Sequence, residues 1–428
     1  MKSIQFRHAL LLSIFTFLLV FQESTYAQSS DRELEYRPVR ITLIPGIGTN
    51  GIESREYTAK YSLNIIGGYH GGLDGYEIGL VNLNQYYTRG FQVGAVNATA
   101  GDMTGVNLSV FANFSRRGMR GMQFSLFGNA AEGRLEGIQA AGLVNTSVLS
   151  MRGIQLSGLA NIAGGNMQGA QISGGINTSV ENAQGFMFGG FGNFNAGTAD
   201  GIFVAGVSNF ARDQRGITVA GLLNMTRRLQ GVQISGLANL AYRVQGIQIG
   251  LINFAHDFEG IPIGLISYYN NGRKNIDYWI SDAGFQNFGI KLGTSRVYNM
   301  FSFGYNPFLE GREVWSIGWT IGTYKPLDEA RNNPRLEKYF RTKDVSIQNF
   351  QEGNFSTRIN TIYKYRYLVG REITNYFGIY AGPTVNLMIS RESRSNEYTW
   401  YSLFSGERGG SDFALWIGFA AGIQLFGH

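Results

Sequence analysis

A glycine returns every 14 to 16 residues from Gly75 to Gly260. That recurrence restricts the chain to folds that accept one short unit many times over. The opening glycines are Gly75, Gly90, Gly105, Gly121, Gly137, Gly153, Gly169, Gly185, Gly201, Gly216, Gly231, Gly246 and Gly260. An asparagine follows seven or eight positions later, at Asn82, Asn97, Asn113, Asn129, Asn145, Asn161, Asn177, Asn193, Asn209, Asn224, Asn239 and Asn253, with Ser267 in that place in the last copy.

Each copy reads as β structure. Runs such as Ile154-Gln155-Leu156-Ser157 alternate apolar with polar, and the chain holds 59 glycines, far too many for a helical repeat. A second apolar position (Phe111, Phe127, Leu143, Leu159, Phe191, Leu222, Leu237) follows the place of the inner glycine, which Val110 and Leu126 hold in the first two of these copies. A third (Met119, Leu135, Met151, Met167, Leu229, Val244) precedes the opening glycine by two. Three short apolar pieces per copy suit a β-solenoid, in which each copy is one coil. They also suit one large antiparallel membrane barrel, in which each copy is one strand and a turn.

The Gly-to-Asn interval helps to choose. It is seven in the copies opening at Gly75, Gly90 and Gly246 and eight in the middle ones. Losing a residue inside a straight strand would turn everything after it to the other face, so the missing residue belongs at a corner or bulge. A recurring amide is also hard to place against lipid, whereas stacked amides satisfy one another in a buried ladder. The expectation is an all-β chain with a central β-solenoid of about 13 repeats over residues 75–268. The alternative stays the all-antiparallel barrel, for which Ile154, Leu156, Ala160 and Ile162 would offer a lipid-facing stripe.

The flanks are different. All five tryptophans (Trp279, Trp315, Trp319, Trp400, Trp416) lie beyond the repeats. Phe301, Phe303 and Tyr305, then Trp315, Ile317, Trp319 and Ile321, alternate with small or polar residues, as in antiparallel strands with one apolar face. Residues 269–428 are therefore expected to form antiparallel strands of outer-membrane barrel type, with a soluble sandwich as the alternative. Residues 327–350 read as a charged exposed loop with a helical turn. Residues 28–74 hold two more strands, "VRITLIPGI" and "YSLNIIGGYHGG", which could join the C-terminal ones in one sheet. The last strand, Leu415 to Leu425 on alternate positions, suits a barrel. The ending Phe426-Gly427-His428 departs from the terminal aromatic residue usual for barrels handled by the outer-membrane insertion machinery. Residues 1–27, with Lys2 and Arg7 before "ALLLSIFTFLLVF" and small residues up to Ala27, read as a secretory signal peptide.

The tandem Gly-[Ile/Val]-Gln-[Ile/Val]-x-Gly-Leu-x-Asn copies resemble the exported surface-repeat proteins of two-membrane bacteria, notably the Bacteroidota and spirochaetes. "GIGTNG" at 46, "YSLNIIGGY" at 61 and the downstream "GIKLG" and "YAGP" are similar to Bacteroidota members with the same arrangement. The resemblance implies export and association with the cell surface. It carries no activity or catalytic residue with it.

Chemistry is hard to find. The chain has no cysteine, which leaves out disulfides, thiol catalysis and Cys-based zinc sites. A net charge of +6 is too diffuse to argue for nucleic acid. Gly46 to Gly51 matches a dinucleotide fingerprint in letters only, since β-like sequence rather than a helix follows; a turn is expected. His70, His256 and His428 are scattered, so no metal site or cofactor is expected. Glu136, Glu181, Asp200 and Asp213 fall singly in turns, and only Asp257 and Glu259 share one; catalytic carboxylates need a common face. The more regular candidate is the row Gln92, Gln123, Gln139, Gln155, Gln171, Gln233 and Gln248, two residues after each opening glycine. Flanked by Ser125, Ser157 and Ser173, it would form an exposed polar face along which a glycan or peptidoglycan could lie. The functional expectation is a non-enzymatic surface or outer-membrane protein with a structural or binding role. A polysaccharide-cleaving solenoid enzyme and a pore are the alternatives.

Overall fold

The computed structural model describes residues 34–427, apart from 310–311, 328–335, 337, 354, 357, 392–396 and 400. The signal peptide expected at residues 1–27 and His428 lie outside the described residues.

The repeats form a parallel β-solenoid. In one coil the strand Met151–Ser157 runs to a corner at Gly158 and Leu159, and the short strand Ala160–Ala163 returns to a turn at 164–166. Like stacks on like: Gly153 opposes Gly169, Gln155 opposes Gln171, and Asn161 opposes Asn177. The parallel pairing rules out the all-antiparallel alternative. The opening glycine is needed where coils touch. Gly153 has φ 139°, and a Cβ there would lie 1.9 Å from the carbonyl oxygen of Gly137, a conformation and a gap that only glycine accepts. The shorter copies lose their residue at the corner, as expected: Gly94 opposes Ser109, but the next pair is Val96 with Ala112.

The coil is apolar outside and largely polar inside. Along Met151–Ser157 the inward positions are Met151, Gly153, Gln155 and Ser157, while Arg152, Ile154 and Leu156 point out. The greasy part of the interior is built from Met103, Met119, Leu135, Met151 and Met167 against Ala131 and Ala163, is joined by Met187 and Phe203 in glutamine places, and resumes at Leu229, Val244 and Phe258. Across the corner, Leu159 is 56% exposed. Charged side chains gather at the opposite edge, where neighbouring coils are linked by Arg120–Glu136 at 3.2 Å and Arg228–Asp213 at 2.8 Å.

The N-terminal strand Glu35–Ile44 pairs in parallel with the start of the following chain, Glu35 with Tyr57 through Thr42 with Asn64. It covers the open edge of the first coil, and an uncovered edge would invite pairing with other chains. The expectation that it joins the C-terminal strands is therefore corrected: the two sets belong to separate sheets. "GIGTNG" forms a tight connection, with a two-residue bridge at Ile47–Gly48 and a 3-10 turn at Gly51–Glu56.

Beyond Tyr269 the chain forms an antiparallel sheet. Its eight successive strands are Arg273–Ser281, Gln286–Gly293, Val297–Asn306, Val314–Pro326, Tyr339–Glu352, Asn360–Thr374, Phe377–Ser390 and Ser411–Gly427. The first and last pair from Lys274–Gly427 to Ser281–Ala420, which closes the sheet into a barrel. A short strand, Phe404–Arg408, adds a hairpin beside the last one. The loop expected over residues 327–350 is corrected in its second part. Residues from Tyr339 onward form a strand, because Phe340, Thr342, Asp344, Ser346 and Gln348 alternate inward despite their charged neighbours.

The solenoid ends against the barrel wall. Asn299 Nδ2 donates to Pro262 O at 3.1 Å and to Ser267 Oγ at 3.1 Å. Trp319 Nε1 donates to Gly264 O at 2.9 Å.

Candidate functional site

The glutamine row is not a surface. Gln123, Gln139, Gln155, Gln171 and Gln248 are fully buried, and Gln233 is nearly so. Their amides join neighbouring coils instead: Gln139 Nε2 donates to Gln123 Oε1 at 2.9 Å, Gln155 to Gln139 at 2.8 Å, Gln171 to Gln155 at 2.8 Å, and Gln248 to Gln233 at 2.9 Å. The expected glycan-facing ladder is thus an internal one. The serines beside it, including Ser125, Ser157 and Ser173, have buried hydroxyls as well. The reason is phase. Alternation fixes which residues share a face but not which face is inside, and the coil turns its Ile and Leu outward.

The asparagines behave as expected. Asn161 Nδ2 donates to Asn177 Oδ1 at 3.0 Å and to the backbone oxygen of Ile172 at 2.8 Å, and Asn145 Nδ2 donates to Asn161 Oδ1 at 3.0 Å. This run continues from Asn64 through Asn82 and on to Asn253 and Ser267. Each asparagine amide fixes a corner and its neighbour together, so these buried amides are satisfied by repetition.

The asparagine ladder begins at a buried ionic cluster that sequence reasoning missed, which also takes Gln92, the first glutamine of the row. Glu77 stands where later coils carry glutamine. Its Oε1 accepts from Arg40 Nη2 at 3.2 Å, Ser62 Oγ at 3.0 Å and Asn64 Nδ2 at 2.9 Å, and its Oε2 accepts from Gln92 Nε2 at 2.7 Å and Asn84 Nδ2 at 2.8 Å. His70 Nε2 lies 2.9 Å from Asn64 Oδ1 and 3.9 Å from Glu77 Oε1. Burial alone would raise the Glu77 carboxyl, but Arg40 and the amides of Gln92 and Asn84 together hold it below the usual carboxylate value. Burial, then Arg40, push the His70 imidazole down to about 3, so it stays neutral. The signal was available: Glu77 is the one carboxylate at a ladder position.

The barrel repeats the solenoid's polarity. Its wall presents Ile276, Phe288, Ile290, Phe301, Phe303, Ile317, Val345, Ile347, Val385, Ile417 and Phe419 outward, all substantially exposed. Inside, Lys291 Nζ lies 2.5 Å from Asp277 Oδ2 and Arg366 Nε lies 2.6 Å from Asp344 Oδ1. Tyr298 Oη donates to Asp344 Oδ2 at 2.6 Å, and Lys364 Nζ to Gln348 Oε1 at 2.6 Å. Trp416 Nε1 donates to Asp282. Two aromatic clusters, Phe285, Phe350, Tyr398 and Trp416 in one and Trp279, Tyr298, Tyr324, Phe340 and Tyr380 in the other, fill the remaining interior. An eight-stranded barrel has room for little more than its own side chains.

Among the described residues no group of His, Asp and Glu is arranged to hold a metal ion. His256 lies on the surface, its ring 4.8 Å from that of Tyr242 and its Nδ1 3.1 Å from Asp257 Oδ1. Asp213 and Glu136 serve the inter-coil ion pairs of the charged edge. No family model, curated protein or solved structure matches the chain.

Proposed function

We propose that the chain is a non-enzymatic outer-membrane protein, anchored by its barrel and using the solenoid in a structural or binding role. The observation that carries this reading is the reversed polarity of the barrel: a continuous apolar exterior around a charged interior. In water such a wall would leave dozens of aliphatic and aromatic groups about half hydrated, each forgoing about half of the ~1.5–3 kcal/mol that full burial brings. In lipid it is the arrangement a closed barrel needs, with every strand edge paired and apolar side chains turned outward. The N-terminal leader and the resemblance to exported surface-repeat proteins agree with it. The packed interior favours an anchor over a conducting pore. The inner carboxylates Glu77, Asp277 and Asp344 are each engaged by cations or hydrogen-bond donors, which favours structural over catalytic use.

Cell fractionation tests the reading. The protein should sediment with outer membranes, resist extraction by carbonate, and migrate faster on gels when unheated than when boiled. Recovery in the soluble extracytoplasmic fraction would overturn it.

A further inference from the structure

We propose that the apolar corner of the solenoid also lies in lipid, immersed in the leaflet next to the barrel, with the charged edge at headgroup level. The proposal rests on the membrane reading of the barrel and extends it to the repeats.

The first observation is where charge falls. From each opening glycine through the short return strand there is no lysine, arginine or aspartate, and the only glutamate is the buried Glu77. The arginines Arg116, Arg152, Arg228 and Arg243 all fall on the opposite, turn-bearing edge. A solvated rod has no reason to keep one edge free of charge over so many copies.

The second is the corner itself. Phe111, Phe127, Leu159, Phe191, Leu222 and Leu237 are each about half exposed, and the rows of Ile154 and Leu156 flank them. Such a strip, running the length of the stack, far exceeds the few hundred Å² that soluble monomers leave bare.

The third is placement. The last coil sets its corner against the outer wall of the barrel, where Trp319 meets Gly264. Trp319 is the neighbour of Phe301 and Ile347, in the middle of the apolar wall. From that corner the strand Ile266–Tyr269 leads back to Asn270 and Gly272, and Arg273 then pairs with Gly293 at the barrel rim. The charged edge therefore sits level with the rim, where Lys274 lies 5.0 Å from the Tyr268 ring, and the corner sits at the depth of the wall. Four residues of strand at about 3.3 Å each span about 13 Å, close to one leaflet of a hydrocarbon core about 30 Å thick. Since the coils stack in register, what holds for the last coil's depth holds for its neighbours.

The absence of cysteine makes the test clean. Leu159→Cys and Leu237→Cys on the corner, Arg152→Cys on the charged edge, and Val385→Cys on the barrel wall would each be introduced into the full chain. Each would be labelled with an environment-sensitive fluorophore and reconstituted in phosphatidylcholine–phosphatidylglycerol vesicles with or without nitroxide-bearing acyl chains. The expected result is blue-shifted emission with severalfold quenching at 159, 237 and 385, and neither at 152. Quenching at 385 with water-like emission at 159 and 237 would overturn the proposal and leave the membrane barrel standing. Blue-shifted but unquenched corner labels beside a quenched 385 would also overturn it, by showing that protein covers the corner. Absence of quenching at all four positions would overturn both readings.

Discussion

Asn161 Nδ2 donates its two hydrogens to Ile172 O and Asn177 Oδ1, with Gln155 O close by at 3.2 Å. Replacing it with leucine strands the acceptors below and the Asn145 donor above, with Asn145 and Asn177 both fully buried. Asn161→Leu should destabilise by about 1–3 kcal/mol. Gln155→Thr, which would be silent on an exposed face, should lose a comparable amount because it interrupts the buried run from Gln139 to Gln171. Denaturant titration in detergent reads both, and a silent Gln155→Thr would contradict the inward ladder. At the N-terminal cap the linkage is acid-sensitive. Unfolded His70 takes up a proton below about 6.5, whereas the folded ring does so only near 3, so stability falls as pH drops between those values. Glu77, held below its usual 4.5 when folded, contributes stability above that value and loses it as pH falls further. Melting temperature should therefore decline from about pH 6.5 downward, and His70→Gln should flatten the upper part of that decline while leaving the part below about 4.5. Identical profiles for the two proteins would exclude His70 as its source. The cap was legible only in retrospect, since one glutamate in a row of glutamines becomes conspicuous once that row is known to be buried.

A whole coil is the natural unit of change. Removing Gly153 to Gln168 joins Arg152 to Gly169, which already opposes Gly153 in the stack, and brings Gln139 to Gln171 and Asn145 to Asn177. Nearest-neighbour stacking predicts a folded, slightly shorter rod with an unchanged barrel. Removing only Gly153 to Ala160 puts the corner where a strand should be and should abolish folding. Unheated gel mobility and circular dichroism distinguish the outcomes; failure of the full-coil deletion would contradict a solenoid of independent neighbours. Much of this element was readable beforehand. The invariant order of glycine, apolar corner and asparagine located the turns, and the shortened copies placed their missing residue at the corner, where Gly94 and Val96 skip past Val110 and Phe111. The polarity was not readable from alternation, because Gln155 and Leu156 occupy opposite faces in either phase. Alternation fixes which residues share a face and leaves open which face is inside. The charge-free stretch after each glycine was the overlooked clue.

In the whole molecule, the barrel is closed by pairs far apart in sequence, such as Ile276 with Leu425. Local pattern suggested antiparallel strands there but could not choose a barrel over a sandwich. The same applies to the join, since nothing near Asn299 or Trp319 marks them as facing the last coil. Asn299→Leu combined with Trp319→Phe removes the side-chain donors that reach Pro262, Ser267 and Gly264, weakening the junction by about 1–3 kcal/mol. The doubly substituted protein should be cut faster by protease between Tyr269 and Arg273 while its barrel stays resistant. Unchanged cleavage would mean that the seat depends on other contacts.

The two ends of the rod are unique and its middle is not. Glu77 with Arg40 terminates one end, and Asn299 receives the other. Between them Asn145, Asn161 and Asn177 occupy equivalent places, so little in the protein records which coil is which. Length is therefore a free variable. Insertion or deletion of one whole repeat in the encoding sequence adds or removes one coil, and each product keeps its head and its foot. With the membrane placement proposed above, such a chain is a ruler whose reach along the bilayer is set by the number of its coils and not by its anchoring surfaces.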